Sequence, residues 1–104
     1  MKAPYIFHPA AEKELREILR YTRKNWGDAQ AKKYAAKLRE CFQALATGKQ
    51  PCKDMSELYP ALRMAHCESH YVFYLLRQNA PALIIAILHE RMDIVARLEH
   101  RLKP

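Results

Sequence analysis

The chain has little of what disordered, secreted or membrane proteins need. It contains only two glycines in 104 residues and has no low-complexity tract, which argues against a linker or a disordered segment. Its longest apolar run, from Ala82 to Leu88, is far short of the roughly 20 residues that cross a bilayer. The amino-terminal segment Tyr5-Ile6-Phe7 is too short to resemble a secretion signal. We therefore expect residues 1–104 to form one domain with no membrane association.

Cysteine and metal-ligand motifs are also scarce. Cys41, Cys52 and Cys67 are odd in number and show no CxxC spacing, so we predict reduced cysteines in a cytoplasmic protein. The histidines at positions 66, 70 and 89 follow no HxxxH pattern, and none stands beside a cysteine pair. We predict neither a metal site nor a cofactor.

Acidic residues are the minority charge. Eighteen Lys and Arg oppose eleven Asp and Glu, which leaves a formal charge of +7. This balance favours an acidic protein partner, a nucleic acid or an anionic surface, and it does not choose among them.

The first half of the chain predicts a short strand followed by two helices. The strand covers residues 3–7, and Pro9 with Glu12 suits the first turn of a helix. Gly27 interrupts the helical pattern, Asp28 is a candidate N-cap for the second helix, and Gly48 ends it. Apolar residues recur at helical spacing in both segments, which predicts an antiparallel helix hairpin. The two stripes are Ala11, Leu15, Ile18, Thr22 and Trp26, and Ala31, Tyr34, Ala35, Leu38, Phe42 and Leu45.

The second half predicts three strands and a last helix. A polar loop over residues 47–59 precedes strands at 61–67, 70–76 and 82–89, whose short links predict an antiparallel meander. Asp93 is a candidate cap for a helix that ends near Leu102 and docks through Val95, Leu98 and Leu102. The fold class is therefore α+β: an N-terminal strand and a helix hairpin packed on a four-stranded sheet, with a short C-terminal helix.

Both faces of that sheet are apolar, and the hairpin covers only one. Strict alternation places Tyr71, Phe73 and Leu75 on the face opposite Val72 and Tyr74. In the last strand it places Leu83, Ile85, Ile87 and His89 opposite Ile84, Ala86 and Leu88. An exposed apolar face usually marks an interaction site, and the other candidates to cover it are the C-terminal helix and a second copy of the chain.

Several segments, taken together, resemble the ParE branch of the ParE/RelE toxins of bacterial type II toxin–antitoxin modules, which include plasmid stabilisation proteins. The resemblance covers about residues 5–98 in order and spacing. It rests on Pro9-Ala10-Ala11-Glu12-Lys13-Glu14-Leu15, Ile18, Tyr21-Thr22, Trp26-Gly27, Gln30-Ala31, Tyr34, Leu38, Pro60-Ala61-Leu62-Arg63, His70-Tyr71-Val72-Phe73-Tyr74 and Ile87-Leu88-His89-Glu90-Arg91-Met92-Asp93.

The resemblance implies a toxin that inhibits DNA gyrase by protein binding and that a cognate acidic antitoxin neutralises. It implies no sequence-specific nucleic-acid binding by the toxin itself and no cofactor. The residues that we expect to contact antitoxin or target are Arg63, Tyr71, Phe73, Tyr74, His89, Met92, Arg97 and Leu98.

The alternative is a RelE-like endoribonuclease that cuts mRNA on the ribosome. Such chemistry needs a general base, a general acid and cations around the phosphate. The candidate catalytic residues are Arg63, His70, His89 and Arg91, with His66 as a further histidine. The last strand carries no charge before His89, which argues against this enzyme. A relative that has lost toxicity and only binds antitoxin is a third possibility.

Overall fold

A computed structural model describes residues 4–91 and 94–102, without the side chain of Val95. The strands are β1 (Tyr5–Phe7), β2 (Lys53–Asp54), β3 (Leu62–Cys67), β4 (His70–Leu75) and β5 (Ala82–His89); the helices are α1 (Pro9–Trp26), α2 (Asp28–Ala46) and α3 (Ile94–Leu102). The predicted α+β class is confirmed.

The sheet has five strands in the order β1-β5-β4-β3-β2 rather than the predicted four. The predicted antiparallel meander is confirmed for β3, β4 and β5, and β1 joins it parallel to β5 at one edge. The additional strand, β2, pairs with Arg63 and Met64 at the other edge. Its two residues are polar and exposed, so no hydrophobic alternation distinguished them from the predicted loop.

The helix boundaries follow local chemistry. Pro9 is the first residue of α1, and the His8 side chain accepts a hydrogen bond from the Ala10 N–H at 3.1 Å. Gly27 caps α2, so the prediction of Asp28 as the cap was wrong by one residue. Gly27 has a φ of 91°, a conformation that glycine adopts without strain, which explains why glycine occupies the cap position. The predicted cap of α3, Asp93, lies outside the described residues.

The hairpin packs on one face of the sheet. Leu38, Phe42 and Leu45 of α2 are 2% exposed or less and pack with Val72 and Ile84 of the sheet. A disulfide between Cys41 and Cys67 joins α2 to β3. The prediction that these cysteines are reduced was therefore wrong, because the fold brings together two residues that are 26 positions apart. Cys52 has a free, exposed thiol.

The C-terminal helix covers the other face. Leu98 of α3 is fully buried against Phe73 and Leu88, and Leu102 packs at the margin of this cluster. Of the coverings considered from sequence, the chain's own last helix is the one observed.

A β-bulge changes the predicted alternation of β5. Phe73 pairs with Ala86 but Tyr74 pairs with Ile84, which leaves Ile85 without a partner in β4. Ile85 and Ala86 both pack on the α3 side, whereas Ile84 and Ile87 both pack on the hairpin side. The prediction that β5 residues alternate strictly between the two faces was therefore wrong beyond Ile85. The bulge also turns His89 toward the hairpin face, where it meets His70.

Candidate functional site

Two histidines meet where β4 begins and β5 ends. His70 and His89 are paired in register, and their rings lie edge to face with centroids 5.2 Å apart. The His89 Nδ1 atom accepts a hydrogen bond from the Arg91 N–H at 3.1 Å, as suits a side chain that caps the next turn. His70 is 8% exposed, and burial together with the neighbouring His89 lowers its pKa from 6.5 to about 4. His70 is therefore neutral near pH 7.

Tyr34 of α2 fixes the orientation of His70. The Tyr34 hydroxyl accepts a hydrogen bond from the Ser69 N–H at 3.4 Å and lies 2.9 Å from His70 Nδ1. A neutral His70 can accept at Nδ1, so the hydroxyl is able to donate to it. Burial raises the pKa of Tyr34, which keeps the phenol protonated. This contact connects the hairpin to the end of the sheet.

An open groove of about 700 Å³ lies beside this cluster. The end of the sheet forms one wall, the second half of α1 and the start of α2 form another, and Arg97 of α3 lies at the margin. The lining residues are Glu14, Glu17, Ile18, Tyr21, Thr22, Trp26, Gln30, Tyr34, Ser69, His70, Ile87, His89 and Arg97.

The apolar stripe of α1 leaves the core before the helix ends. Ala11 is fully buried and Ile18 is half-buried, but Trp26 in the same apolar stripe is 71% exposed. Tyr21 nearby is 66% exposed. The end of α1 therefore presents large aromatic rings that line the groove and are not buried in the core.

The ion pair between Glu14 and Arg101 hydrogen-bonds to backbone groups at the edge of β5 next to the groove. The Glu14 carboxylate accepts from the Ile87 N–H at 3.0 Å and from the Arg101 guanidinium at 3.0 and 3.2 Å. Arg101 also donates to the Ile85 carbonyl oxygen at 2.8 Å. β1 pairs only with residues 82–84, so these side chains satisfy backbone groups that a neighbouring strand would otherwise satisfy. Sequence reasoning missed this pair because its members are 87 positions apart.

The predicted binding residues fall in three places. His89 and Arg97 line the groove. Phe73, Tyr74 and Leu98 are at most 1% exposed, so a partner reaches them only if the covering elements move. Tyr71 is half-buried on the α3 face, and Arg63 lies near Cys52 at the far end of β3. Met92 lies outside the described residues.

Tyr21 and Trp26 are groove residues that the sequence analysis did not select. Trp26 was assigned to the buried stripe because its spacing from Thr22 is helical. Its position next to Gly27, which ends the helix, was the available sign that the stripe had left the core.

The candidate ribonuclease residues do not form one cluster. Arg63 pairs with Tyr74 and donates to the Cys52 sulfur at 3.6 Å, whereas Cys67 pairs with His70. Four residue steps along β3 place Arg63 about 13 Å from that end. His66 pairs with Tyr71 on the α3 face and contacts the Glu90 carboxylate at 3.0 Å. His70 and His89 are in contact, and Arg91 follows His89 with its backbone N–H bonded to the His89 ring and its side chain exposed, so of the four candidates Arg63 is the one that lies apart.

The described residues contain no group of three or more His, Cys, Asp or Glu side chains that could hold a metal ion. Within the same part of the chain, no helix is both long and apolar enough to cross a membrane.

The fold and groove define a small toxin-like α+β domain, and comparison with known proteins gives its family. Residues 5–94 match the family described as ParE toxin of type II toxin-antitoxin system, parDE. The chain is 60% identical over 99 residues to Toxin ParE of Escherichia coli, which covers 95% of this chain and 96% of that protein. It is 30% identical over 94 residues to Toxin ParE1 of Mycobacterium tuberculosis, with 90% and 96% covered.

The chain therefore belongs to the ParE toxin family, and it is the toxin of a type II toxin–antitoxin system. The predicted ParE resemblance is confirmed.

Proposed function

We propose that this toxin inhibits DNA gyrase by binding to it through the groove beneath α1, and that a cognate acidic antitoxin neutralises it by occupying the same groove. The observation that carries the proposal is the pair of exposed aromatic side chains, Tyr21 and Trp26, above a groove of about 700 Å³. Tyrosine and tryptophan are enriched among the residues that dominate protein-binding energies.

The net charge of the chain suits an acidic partner, and the apolar part of the groove suits an amphipathic one. Arg97 lines the groove and the whole chain carries +7, so an acidic segment is attracted toward this surface. Glu14 and Glu17 line the groove too. The Glu14 carboxylate is paired with Arg101, whereas the exposed Glu17 offsets Arg97, so the attraction comes from the net charge of the whole chain. The apolar face of a partner helix would lie against Ile18, Trp26 and Ile87.

The separation of the candidate catalytic groups argues against the ribonuclease alternative. General acid–base cleavage requires the groups to lie within hydrogen-bond reach of one substrate position. Arg63, about 13 Å along β3 from the His70 end, does not meet that requirement with His70 and His89. His70, whose pKa is about 4, is neutral near pH 7 and cannot itself act as the general acid there.

The decisive experiment compares two assays on one preparation of the full chain. We expect inhibition of supercoiling by purified Escherichia coli gyrase and no ribosome-dependent cleavage of a reporter mRNA. Trp26→Ala should weaken gyrase inhibition by about 30-fold, because losing an aromatic anchor costs about 2 kcal/mol of binding. Its folding should be unchanged, since the ring is 71% exposed.

Tyr59→Ala is the matched control, because Tyr59 is an exposed aromatic residue that does not line the groove. An equal loss in both variants would contradict the groove assignment, and mRNA cleavage without gyrase inhibition would contradict the proposed target. A toxin that is inactive in both assays but still binds the acidic protein encoded beside its gene would be the antitoxin-binding relative considered from sequence.

A further inference from the structure

The outer face of α1 is a continuous stripe of positive charge. At 100° per residue, five exposed cations fall in a sector about 100° wide that points away from the fully buried Ala11. From Glu12 to Trp26, every residue in that sector is Lys or Arg, and the glutamates of α1 lie outside it. The cationic stripe consists of Lys13, Arg16, Arg20, Arg23 and Lys24.

Most of these cations are unpaired. Arg16 donates to Glu12 at 2.9 Å, but the other four have no carboxylate within ion-pair distance among residues 4–91 and 94–102. The Arg16–Glu12 pair is itself exposed on both sides and contributes little. Five cations on one helix face, with Glu12 and Glu17 at its borders, leave a net positive field that attracts a polyanion.

The stripe differs from the groove in holding no apolar side chain. Protein interfaces have an apolar core surrounded by a polar rim, which the groove provides through Ile18, Trp26 and Ile87. A row of cations alone matches a phosphate backbone instead, to which Arg and Lys supply most contacts. The two surfaces use different sides of α1, so one ligand does not block the other.

The length of the stripe indicates which nucleic acid fits. Lys13 and Lys24 are about 16 Å apart along the helix axis, which exceeds the major groove width of B-form DNA, about 12 Å. Cations at both ends can therefore reach the two phosphate rows that border the groove. The major groove of A-form RNA is narrow and deep, and it does not admit side chains in this way.

We propose that the cationic stripe of α1 is a sequence-independent binding surface for the phosphate backbone of duplex DNA. This surface is separate from the proposed gyrase and antitoxin contacts. Binding is measured with toxin and DNA alone, so failure of this proposal leaves the gyrase proposal standing, and the reverse also holds.

The test is fluorescence anisotropy of a labelled 20-base-pair DNA duplex titrated with the full chain between 50 and 200 mM NaCl. If the five cations contact phosphates, the slope of log K against log salt is about −4.5. The triple variant Arg16→Gln, Arg20→Gln and Arg23→Gln should reduce that slope by about 2.7 and weaken binding at 50 mM at least tenfold. Circular dichroism would verify that the variant is folded.

The matched control removes the same charge elsewhere, with Lys37→Gln, Lys49→Gln and Lys53→Gln, all exposed residues outside the stripe. This variant should keep most of the salt slope. Equal losses in the two triple variants would overturn the proposal by assigning the attraction to net charge. Undetectable DNA binding at 50 mM, or tighter binding to an A-form RNA duplex of the same length, would also overturn it.

Discussion

The two faces of the sheet are covered in different ways. One lies beneath 37 residues of helix, since α1 has 18 and α2 has 19, and a disulfide ties α2 to β3. The other face lies beneath the nine residues of α3, and the Met55 side chain also packs against it. Both coverings bury their central residues completely, as Leu38 at 1% and Leu98 at 0% exposure show.

Equal burial of their central residues does not mean that the hairpin and α3 are held equally firmly on the sheet. The hairpin is held by a broad core, whereas the described side chains of α3 contribute one fully buried leucine, marginal packing by Ile94 and Leu102, and the Arg101 contacts to Glu14 and Ile85. We therefore expect α3 to be the part of the described chain that separates first, because few buried contacts hold it.

The largest expected effect tests that difference directly. Leu38→Ala and Leu98→Ala remove the same atoms from equally buried positions. Leu38→Ala should lower the free energy of unfolding by about 4 kcal/mol, and Leu98→Ala by about 2–3 kcal/mol, because α3 can detach while the hairpin core persists. Urea denaturation measures both values. Hydrogen exchange should show lost protection confined to α3 in Leu98→Ala, and loss throughout the chain would contradict the comparison.

A smaller effect is expected where the two coverings meet. Glu14→Gln removes the charge opposite Arg101 and weakens the acceptor for the Ile87 N–H, so we expect a loss of about 1–2 kcal/mol in urea denaturation. Glu12→Gln is the matched control, because its pair with Arg16 is more than half exposed on both sides. It should cost less than about 0.5 kcal/mol. Equal costs would show that the Glu14–Arg101 pair does not anchor α3.

Much of this architecture was predictable because its signals are local. Proline at the start of α1, glycine at its end and helical spacing of apolar residues predicted the hairpin, and aromatic and β-branched runs predicted β4 and β5. The exceptions are non-local. Neither the Cys41–Cys67 disulfide nor the contact between Glu14 and Arg101 has a signature within its own segment.

The groove was only partly predictable for the same reason. His89 and Arg97 were among the residues expected to contact antitoxin or target, and both line it. Trp26 was misassigned to the core because periodicity tells which side of a helix is apolar but not which residues of that side the fold buries. The bulge at Ile85, which brings His89 to His70, depends on pairing with β4 and has no sign in the β5 sequence.

The smallest expected effect concerns pH and the hairpin side of the sheet. Because the pKa of His70 is about 4 in the folded protein and near 6.5 when unfolded, the unfolded chain binds the proton first as pH falls. The contribution of neutral His70 is therefore fully present above pH 6.5 and declines as the pH falls from there to about 4. We expect a loss of about 1 kcal/mol, well below the full value for such a shift, since the adjacent groove admits water.

His70→Gln keeps a hydrogen-bonding side chain near the Tyr34 hydroxyl but does not titrate. Its stability in urea should therefore change less between pH 7 and pH 4.5 than that of the unaltered chain, with the difference near 1 kcal/mol. His66→Gln is the control, because His66 lies on the other face and is exposed beside Glu90. If His70→Gln retained the full pH dependence, the buried histidine would not be its source, and the pH response would belong to other titrating groups.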